Sequence, residues 1–301
     1  MSTFIFLTIT GLGLGAMYFL IASGLSLIYG LMGVLNFAHG FFLTVGAYGT
    51  WWMEQQLTGV GNVTVRFLIS ALFGLVIGGA FAAAVEFVLI RPLYQRHIEQ
   101  VLVTVGLSLA ATALVASVWA TDQRPFVTPP WMNRTTRVFS AHIPNDRWVE
   151  IGVALAVLAG IELFLRKTRY GLIIRAGAEN RAMVTALGID VRRAFTLVFA
   201  IGGLAAAIAG ALSNVYFGQP SPERGTSLLI FAFIVVVIGG LGSITGSAIA
   251  AVAVGIAQQY MNYYPQASWH IGNWGLGDIS VVLLLGLVLL VRPRGLSGSF
   301  A

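Results

Sequence analysis

The sequence predicts an all-α polytopic membrane protein that forms a single domain over residues 1–301. The first observation is composition: 57% of the residues are hydrophobic and only 9% are charged, against about 25% charged in soluble domains. The second is that the apolar residues come in repeated runs of about 18 or more, the length that crosses a bilayer. The third is that the 36 glycines are scattered through those runs, as membrane helices tolerate.

Nine apolar segments are predicted to be membrane helices, within a range of about eight to ten. The long ones cross a hydrocarbon core of about 30 Å at about 1.5 Å per residue. The second segment is short and glycine-rich, which predicts a broken or re-entrant helix. In chain order the segments are residues 4–29, 38–53, 66–90, 100–120, 149–165, 194–214, 227–239, a run that follows Ser243 and ends near Tyr260, and 278–291.

The distribution of basic residues predicts the topology. Arginine and lysine concentrate at residues 91–96, 166–193 and 292–294, and the segment 166–193 alone carries seven basic residues against two acidic ones, most of the net charge of +6. The positive-inside rule places these three loops in the cytoplasm. The proline- and tryptophan-containing loop at about 121–147 is then extracytoplasmic, the N-terminus lies outside and the C-terminus lies in the cytoplasm.

Several function classes are excluded by residues that the chain lacks. It has no cysteine, so disulfides and thiolate metal sites are ruled out. Its one lysine, Lys167, is not part of a phosphate-binding glycine loop, so this chain is not itself an ATPase. The four histidines are far apart and form no metal motif. We therefore expect no catalytic residues, no cofactor and no metal, and no nucleic-acid partner, because the basic residues lie between apolar spans.

Glycine-rich interruptions mark the candidate translocation path. The first lies at 30–40 and the second at 239–246, and their similar settings predict an internal repeat. Paired interrupted helices point to a transport site because unwound backbone offers hydrogen-bonding groups inside the membrane. The alternative is structural: Asn36 only caps the second helix and His39 only bonds a neighbouring carbonyl. The candidate residues are Asn36, His39, Gly40, Gly239, Gly240, Gly242 and Ser243.

Three stretches in order resemble permease subunits of branched-chain amino-acid ABC importers, of the LivH/LivM type. They are GLMGVLNFAHG at 30–40 followed by GAY at 46–48, the basic segment 169–189, and IGGLGSITG at 238–246, with the tail RPRGLSG at 292–298 also fitting. The resemblance covers essentially the whole chain. It implies a location in the bacterial inner membrane in contact with lipid, a second permease subunit as hetero- or homodimer, two cytoplasmic ATPase subunits and an extracytoplasmic solute-binding protein.

The segment 166–193 is similar to the loop that docks on the ATPase in this family. Within it, residues 175–188 alternate polar and apolar side chains at helical spacing, which predicts one short amphipathic helix ended by glycine. Such a helix fits a groove on a partner, whereas the alternative is that the basic residues only set the topology. The predicted coupling residues are Arg175, Glu179, Asn180, Arg181 and Gly188.

The function implied is that of a membrane-spanning permease subunit of an ABC importer, which is not an enzyme and is powered by separate ATPases. It would translocate branched-chain or related amino acids delivered by the binding protein, although urea, amides and aromatic acids are cargoes of similar proteins. The alternative is a self-sufficient secondary transporter or channel for a small solute.

Overall fold

The computed structural model describes residues 2–33, 35–119, 125–269 and 275–297. Nine apolar helices lie in these ranges, together with two short helices and one hairpin. The apolar helices are α1 (Ser2–Met32), α2 (His39–Gln56), α3 (Val63–Val85), α4 (His97–Trp119), α5 (Asn145–Lys167), α8 (Val191–Phe217), α9 (Arg224–Gly239), α10 (Ile244–Trp269) and α11 (Leu276–Val291). The remaining elements are β1 (Thr135–Val138), β2 (Ala141–Pro144), α6 (Arg169–Glu179), α7 (Arg181–Ala186), a π-helical turn (Glu86–Ile90) and a 3₁₀ turn (Arg91–Leu93).

The predicted all-α membrane architecture is confirmed. Within the described ranges, six helices are long and apolar enough to cross a membrane: α1, α3 with its extension to Leu93, α4, α5, α8 and α10. The other three, α2, α9 and α11, have 18, 16 and 16 residues. Most helices extend a few residues beyond the predicted apolar segments, because polar residues such as Asn145 and Asp146 already belong to the helix before the apolar run begins.

α1 and α8 form the centre of the bundle, and both are largely buried. α1 packs against α10, and α8 packs against α3. α2 contacts α3 and α8, while α9 contacts α1 and α10. The close approaches use small residues: a Cβ on Gly15 would meet the backbone of Ala251, and one on Gly203 would meet the Ala82 side chain. Such contacts let membrane helices pack by van der Waals attraction, since lipid provides no hydrophobic driving force between them.

The three basic segments lie on one face of the bundle, here called the basic face. The end of α3 meets the start of α8, where Thr196 Oγ1 donates to Glu86. The tail joins the end of α9, because Leu296 N donates to Ile238 O over 2.8 Å. Residues 91–96, 166–193 and 292–294 therefore sit at the same end of their helices, as the topology prediction requires.

The opposite end, the hairpin face, carries the β1–β2 hairpin within the predicted loop 121–147. Residues 120–124 lie outside the described residues. The hairpin was not predicted from the sequence; β1 and β2 pair antiparallel, with Thr135 opposite Pro144. Arg147, a basic residue on this face, pairs with Glu150 Oε1 at 3.0 Å and stacks on Tyr216.

The chain contains an inverted repeat whose register differs from the predicted one. Helices α1 to α4 and α8 to α11 follow the same order, a long helix, a six-residue break, a short helix and two further helices. α1 ends at the basic face whereas α8 starts there, so the halves have opposite orientation. The break at 33–38 thus corresponds to 218–223 and not to 239–246. The sequence does not indicate this correspondence, because Pro220 and Pro222 make residues 218–223 resemble an ordinary loop.

Candidate functional site

The first interruption is a true break between α1 and α2, spanning residues 33–38. Its backbone groups are satisfied locally: Ala38 N donates to Asn36 Oδ1 at 3.0 Å, and Phe37 N donates to Thr104 Oγ1 at 3.3 Å. Gly33 adopts φ +66, where a side chain would be strained. These two hydrogen bonds replace helical ones that the break removes, which helps the break to persist inside the bundle.

Asn36 is not the N-cap of α2, because the helix begins two residues later than that role requires. Its side chain closes the turn that precedes α2, while the residue at the N-cap position is Ala38, which makes no side-chain cap. Asn36 is 3% exposed, and its Nδ2 has no hydrogen-bond partner among the described residues. A buried amide nitrogen without a partner is costly.

The Asn36 side chain lines a groove, here called the Asn36 groove. Its walls come from the break, from α4 and from α9, and its volume is about 200 Å³. The lining is mainly apolar, with Ser108 of α4 and Thr226 of α9 as further polar groups. Sequence analysis missed Ser108 and Thr226, since a single hydroxyl in an apolar helix carries no signal until the facing helix is known.

His39 does not line the groove. Its ring is fully buried between α1 and α2, with Nε2 at 3.1 Å from Ile21 O and an edge contact to Phe42. A Cβ on Gly24 would fall 2.8 Å from the ring. The structure therefore favours the alternative in which His39 bonds a neighbouring carbonyl and ties α2 to α1.

Gly40 marks the crossing of α2 and α9. A Cβ on Gly40 would lie 2.9 Å from the Gly225 carbonyl carbon, and one on Gly225 would meet the Gly40 backbone and Thr44. Gly40 and Gly225 are both the second residue of their helices, so this contact lies at the centre of the inverted repeat. Gly225 was missed because no motif in the sequence singles it out.

The second interruption lies on the basic face and does not meet Asn36. Gly240 and Gly242 have φ values of +101 and +83, and a Cβ on Gly242 would lie 3.0 Å from Gly30. Ser243 Oγ accepts from Gly246 N at 3.0 Å and starts α10. The C-terminal tail seals this turn, since Ser297 N donates to Gly239 O at 3.0 Å.

The coupling segment forms two helices rather than the single helix predicted. α6 ends at Glu179 and α7 begins at Arg181, with Asn180 between them at φ −151 and ψ 89. The Asn180 side chain accepts from Met183 N at 2.9 Å. An asparagine that caps a following helix competes with the helical backbone, which is why the amphipathic period does not continue through it. Gly188 ends α7 at φ +77, as predicted.

The paired helices α6 and α7 have one buried and one exposed side. Ile174 and Val184 are 4% and 2% exposed and anchor the segment. The exposed side carries Arg175 and Glu179 together with large apolar side chains. Those apolar side chains are Leu172, Met183 and Leu187, at 61%, 53% and 70% exposure. The side chain of Arg181 lies outside the described part of the chain.

A buried polar cluster connects the coupling segment to the bundle. Glu86 begins a π-helical turn, Glu86–Ile90, that extends α3, and its carboxylate accepts from the hydroxyls of Thr196 and Tyr94. Thr196 lies in the second turn of α8, directly after the coupling segment. π-Turns inside helices often occur at functional positions, and this one joins the end of α3 to the start of α8.

Comparison with known proteins agrees with this architecture. Residues 7–292 match the family described as the permease component of branched-chain amino acid transport systems. The chain is 31% identical over 296 residues to the high-affinity branched-chain amino acid permease LivH of Salmonella typhimurium, covering 96% of this chain and 93% of the relative. It is 29% identical to BraD of Pseudomonas aeruginosa, covering 96% and 94%.

A more distant relative is named for a different cargo. The chain is 29% identical over 258 residues to the fructose import permease FruF of Bifidobacterium longum, covering 83% of this chain and 69% of the relative. The match of residues 7–292 and the 31% identity to LivH nevertheless agree with the three sequence stretches identified above. The chain belongs to the family of permease components of branched-chain amino acid ABC transport systems.

Proposed function

We propose that this chain is the permease subunit of an importer that translocates branched-chain or related amino acids across the bacterial inner membrane. The solute is delivered by an extracytoplasmic binding protein, and the energy comes from two cytoplasmic ATPase subunits. A second permease subunit, identical or similar, completes the path. The relatives LivH and BraD, both named as branched-chain amino acid permeases, support the cargo class.

The observation that carries the proposal is the exposed side of α6 and α7. Leu172, Met183 and Leu187 are large, apolar and exposed on the face that carries the basic loops. Lysine- and arginine-rich loops mark the aqueous cytoplasmic side, where exposed apolar side chains indicate a protein interface. The proposed contacts to the ATPase come from this surface and from Arg175, Glu179, Asn180, Arg181 and Gly188.

The proposed path runs beside α9. The Asn36 groove borders the part of α9 near Thr226, and Gly40 and Gly225 hold α2 and α9 in close contact there. Gly239, Gly240, Gly242 and Ser243 act at the other end of α9, where their turn lets the helix shift against the C-terminal tail. His39 takes part by holding α2 in place. Alternating access is then a movement of α2 and α9 driven from the basic face.

Leu187→Glu tests the coupling surface. The side chain is 70% exposed, so the variant should fold and insert, while a charge at the interface should reduce co-purification of the ATPases and solute uptake at least tenfold. Glu179→Ala should give a smaller loss in the same direction. Glu99→Ala, an exposed substitution on the same face, is the matched control and should behave as wild type. ATPase retention by Leu187→Glu would remove this surface from the proposal.

Reconstitution distinguishes the importer from the self-sufficient transporter. Proteoliposomes that contain this chain alone, with an imposed ion gradient, should show no leucine flux, whereas the complete assembly with ATP and loaded binding protein should accumulate leucine. Gradient-driven flux by the single chain would contradict the importer. A ligand screen on the binding protein would identify the cargo, because that protein makes the first selection.

A further inference from the structure

A second cavity, on the hairpin-face side of α9, is lined by charges of both signs. Its volume is about 380 Å³, within the range of about 300 to 1,000 Å³ of small-molecule sites. It lies between α1, the end of α8, the start of α9, α10 and the start of α11. Its charged lining residues are Arg224, Asp278 and Glu223, and we call it the Arg224 cavity.

Arg224 is the cationic group of this cavity. Its guanidinium carbon stacks 3.6 Å from the centroid of the Phe217 ring. No carboxylate lies within ion-pair distance of it among the described residues. A guanidinium that stacks on an aromatic ring keeps the N–H groups at its edge free for a carboxylate, which it binds in a bidentate manner. The N-terminus of α9, where Arg224 sits, adds a positive dipole.

Asp278 is the anionic group, and other side chains hold it in place. Gln258 Nε2 donates to Asp278 Oδ1 at 2.8 Å, and Tyr18 Oη donates to Gln258 Oε1 at 2.7 Å. Tyr18 in turn stacks on Phe231 with ring centroids 5.3 Å apart. Gln258 and Tyr18 are 4% and 2% exposed, so these two buried side chains on α10 and α1 hold the Asp278 carboxylate in position.

We propose that the Arg224 cavity binds the zwitterionic head of a free amino acid, with Arg224 on the α-carboxylate and Asp278 on the α-ammonium group. The inference rests on the proposed function, and it adds a selective site within the permease itself. Two fixed opposite charges reject an analogue that lacks either group, because the unmatched charge of the cavity is then desolvated without a partner. The cavity would therefore pass amino acids of many side chains and exclude plain amines, acids and sugars.

Direct binding tests the cavity without transport. The purified permease in nanodiscs of phosphatidylglycerol, a lipid without an ammonium group, is titrated with radiolabelled leucine, 3-methylbutylamine and 4-methylpentanoate. Wild type should bind leucine more tightly than either analogue. Arg224→Gln should bind leucine about tenfold more weakly than wild type and the amine with unchanged affinity. Asp278→Asn should also bind leucine about tenfold more weakly, and it should bind the acid with unchanged affinity. Arg137→Gln, on the exposed hairpin, is the control and should bind all three compounds as wild type does.

Two results would overturn the proposal: wild type that binds no leucine or binds all three compounds alike, and variants that bind leucine as wild type does. Leucine uptake by the complete importer is measured in parallel. Absent uptake with selective binding would refute the proposed function while the site stands. Normal uptake with unaltered Arg224→Gln and Asp278→Asn binding would refute the site while the function stands.

Discussion

At the residue scale, His39 illustrates how a motif histidine can serve packing. The ring bonds the Ile21 carbonyl and lies against Gly24 and Phe42. A carbonyl in the middle of α1 already accepts its own helical hydrogen bond, so this extra contact fastens α2 to α1 at the point where α2 begins. Asn36, three residues earlier, is the residue of this motif that faces a groove.

His39→Ala should destabilise the protein rather than only lower transport. Removing a fully buried ring leaves a cavity, which costs about 2 to 4 kcal/mol. Thermal unfolding of the purified permease in detergent measures the change, and His142→Ala, an exposed histidine in β2, should leave it within about 0.5 kcal/mol. Wild-type unfolding combined with abolished uptake would instead place His39 in the transport path.

Residue-level roles were only partly predictable. The positive φ of Gly188 and the turn at Asn36 follow from local sequence, because glycine and asparagine preferences act within a few residues. The contacts of Gly225, Thr226 and Ser108 depend on helices far away in the chain. A single sequence holds no sign of those partners, so these residues emerged only from the fold.

At the scale of elements, runs of apolar residues predicted the membrane helices. They did not predict the helix boundary that a capping side chain sets, or the register of the internal repeat. All nine predicted segments correspond to described helices, because a run of apolar residues in a membrane has no alternative structure open to it. The split between α6 and α7 was missed because one side chain, Asn180, caps the second helix. The hairpin was missed because four-residue strands give almost no periodicity.

Gly225→Ala should disturb the crossing of α2 and α9. The new methyl group would overlap the Gly40 carbonyl and Thr44, and overpacking of this kind costs about 1 to 3 kcal/mol. We expect a lower unfolding temperature and reduced uptake. Gly152→Ala in α5, where a Cβ meets nothing within 4 Å, should be neutral or stabilising, because alanine favours the helix. Equal effects of the two substitutions would show that the crossing tolerates a shift.

At the scale of the whole molecule, the two faces differ in chemistry. The basic face gathers the three basic segments, the sealed turn at 239–243 and the coupling helices. The hairpin face carries β1, β2 and the Arg147 ion pair with Glu150. The difference between the faces gives the proposed direction of transport, because the ATPases are proposed to bind at the basic face and the binding protein at the hairpin face.

Cysteine labelling tests the proposed orientation in cells. The chain has no cysteine, so single-cysteine variants need no background substitutions. Phe139 on the hairpin is 84% exposed, and the side chain of Arg96, on the basic face and outside the proposed ATPase interface, is 67% exposed, so either position should accept cysteine without loss of packing. A membrane-impermeant maleimide should label Phe139→Cys in cells with an intact inner membrane and Arg96→Cys only after that membrane is opened.

The reverse labelling pattern would show the opposite topology, in which α6 and α7 lie outside the cytoplasm and cannot bind the ATPase. Labelling of both variants in intact cells would indicate a leaky membrane, which a cytoplasmic marker protein with a reactive cysteine detects. The charge argument makes the expected direction firm, since the segment 166–193 carries seven basic residues. Translocating such a short basic loop opposes the membrane potential and the insertion bias that together give the positive-inside rule.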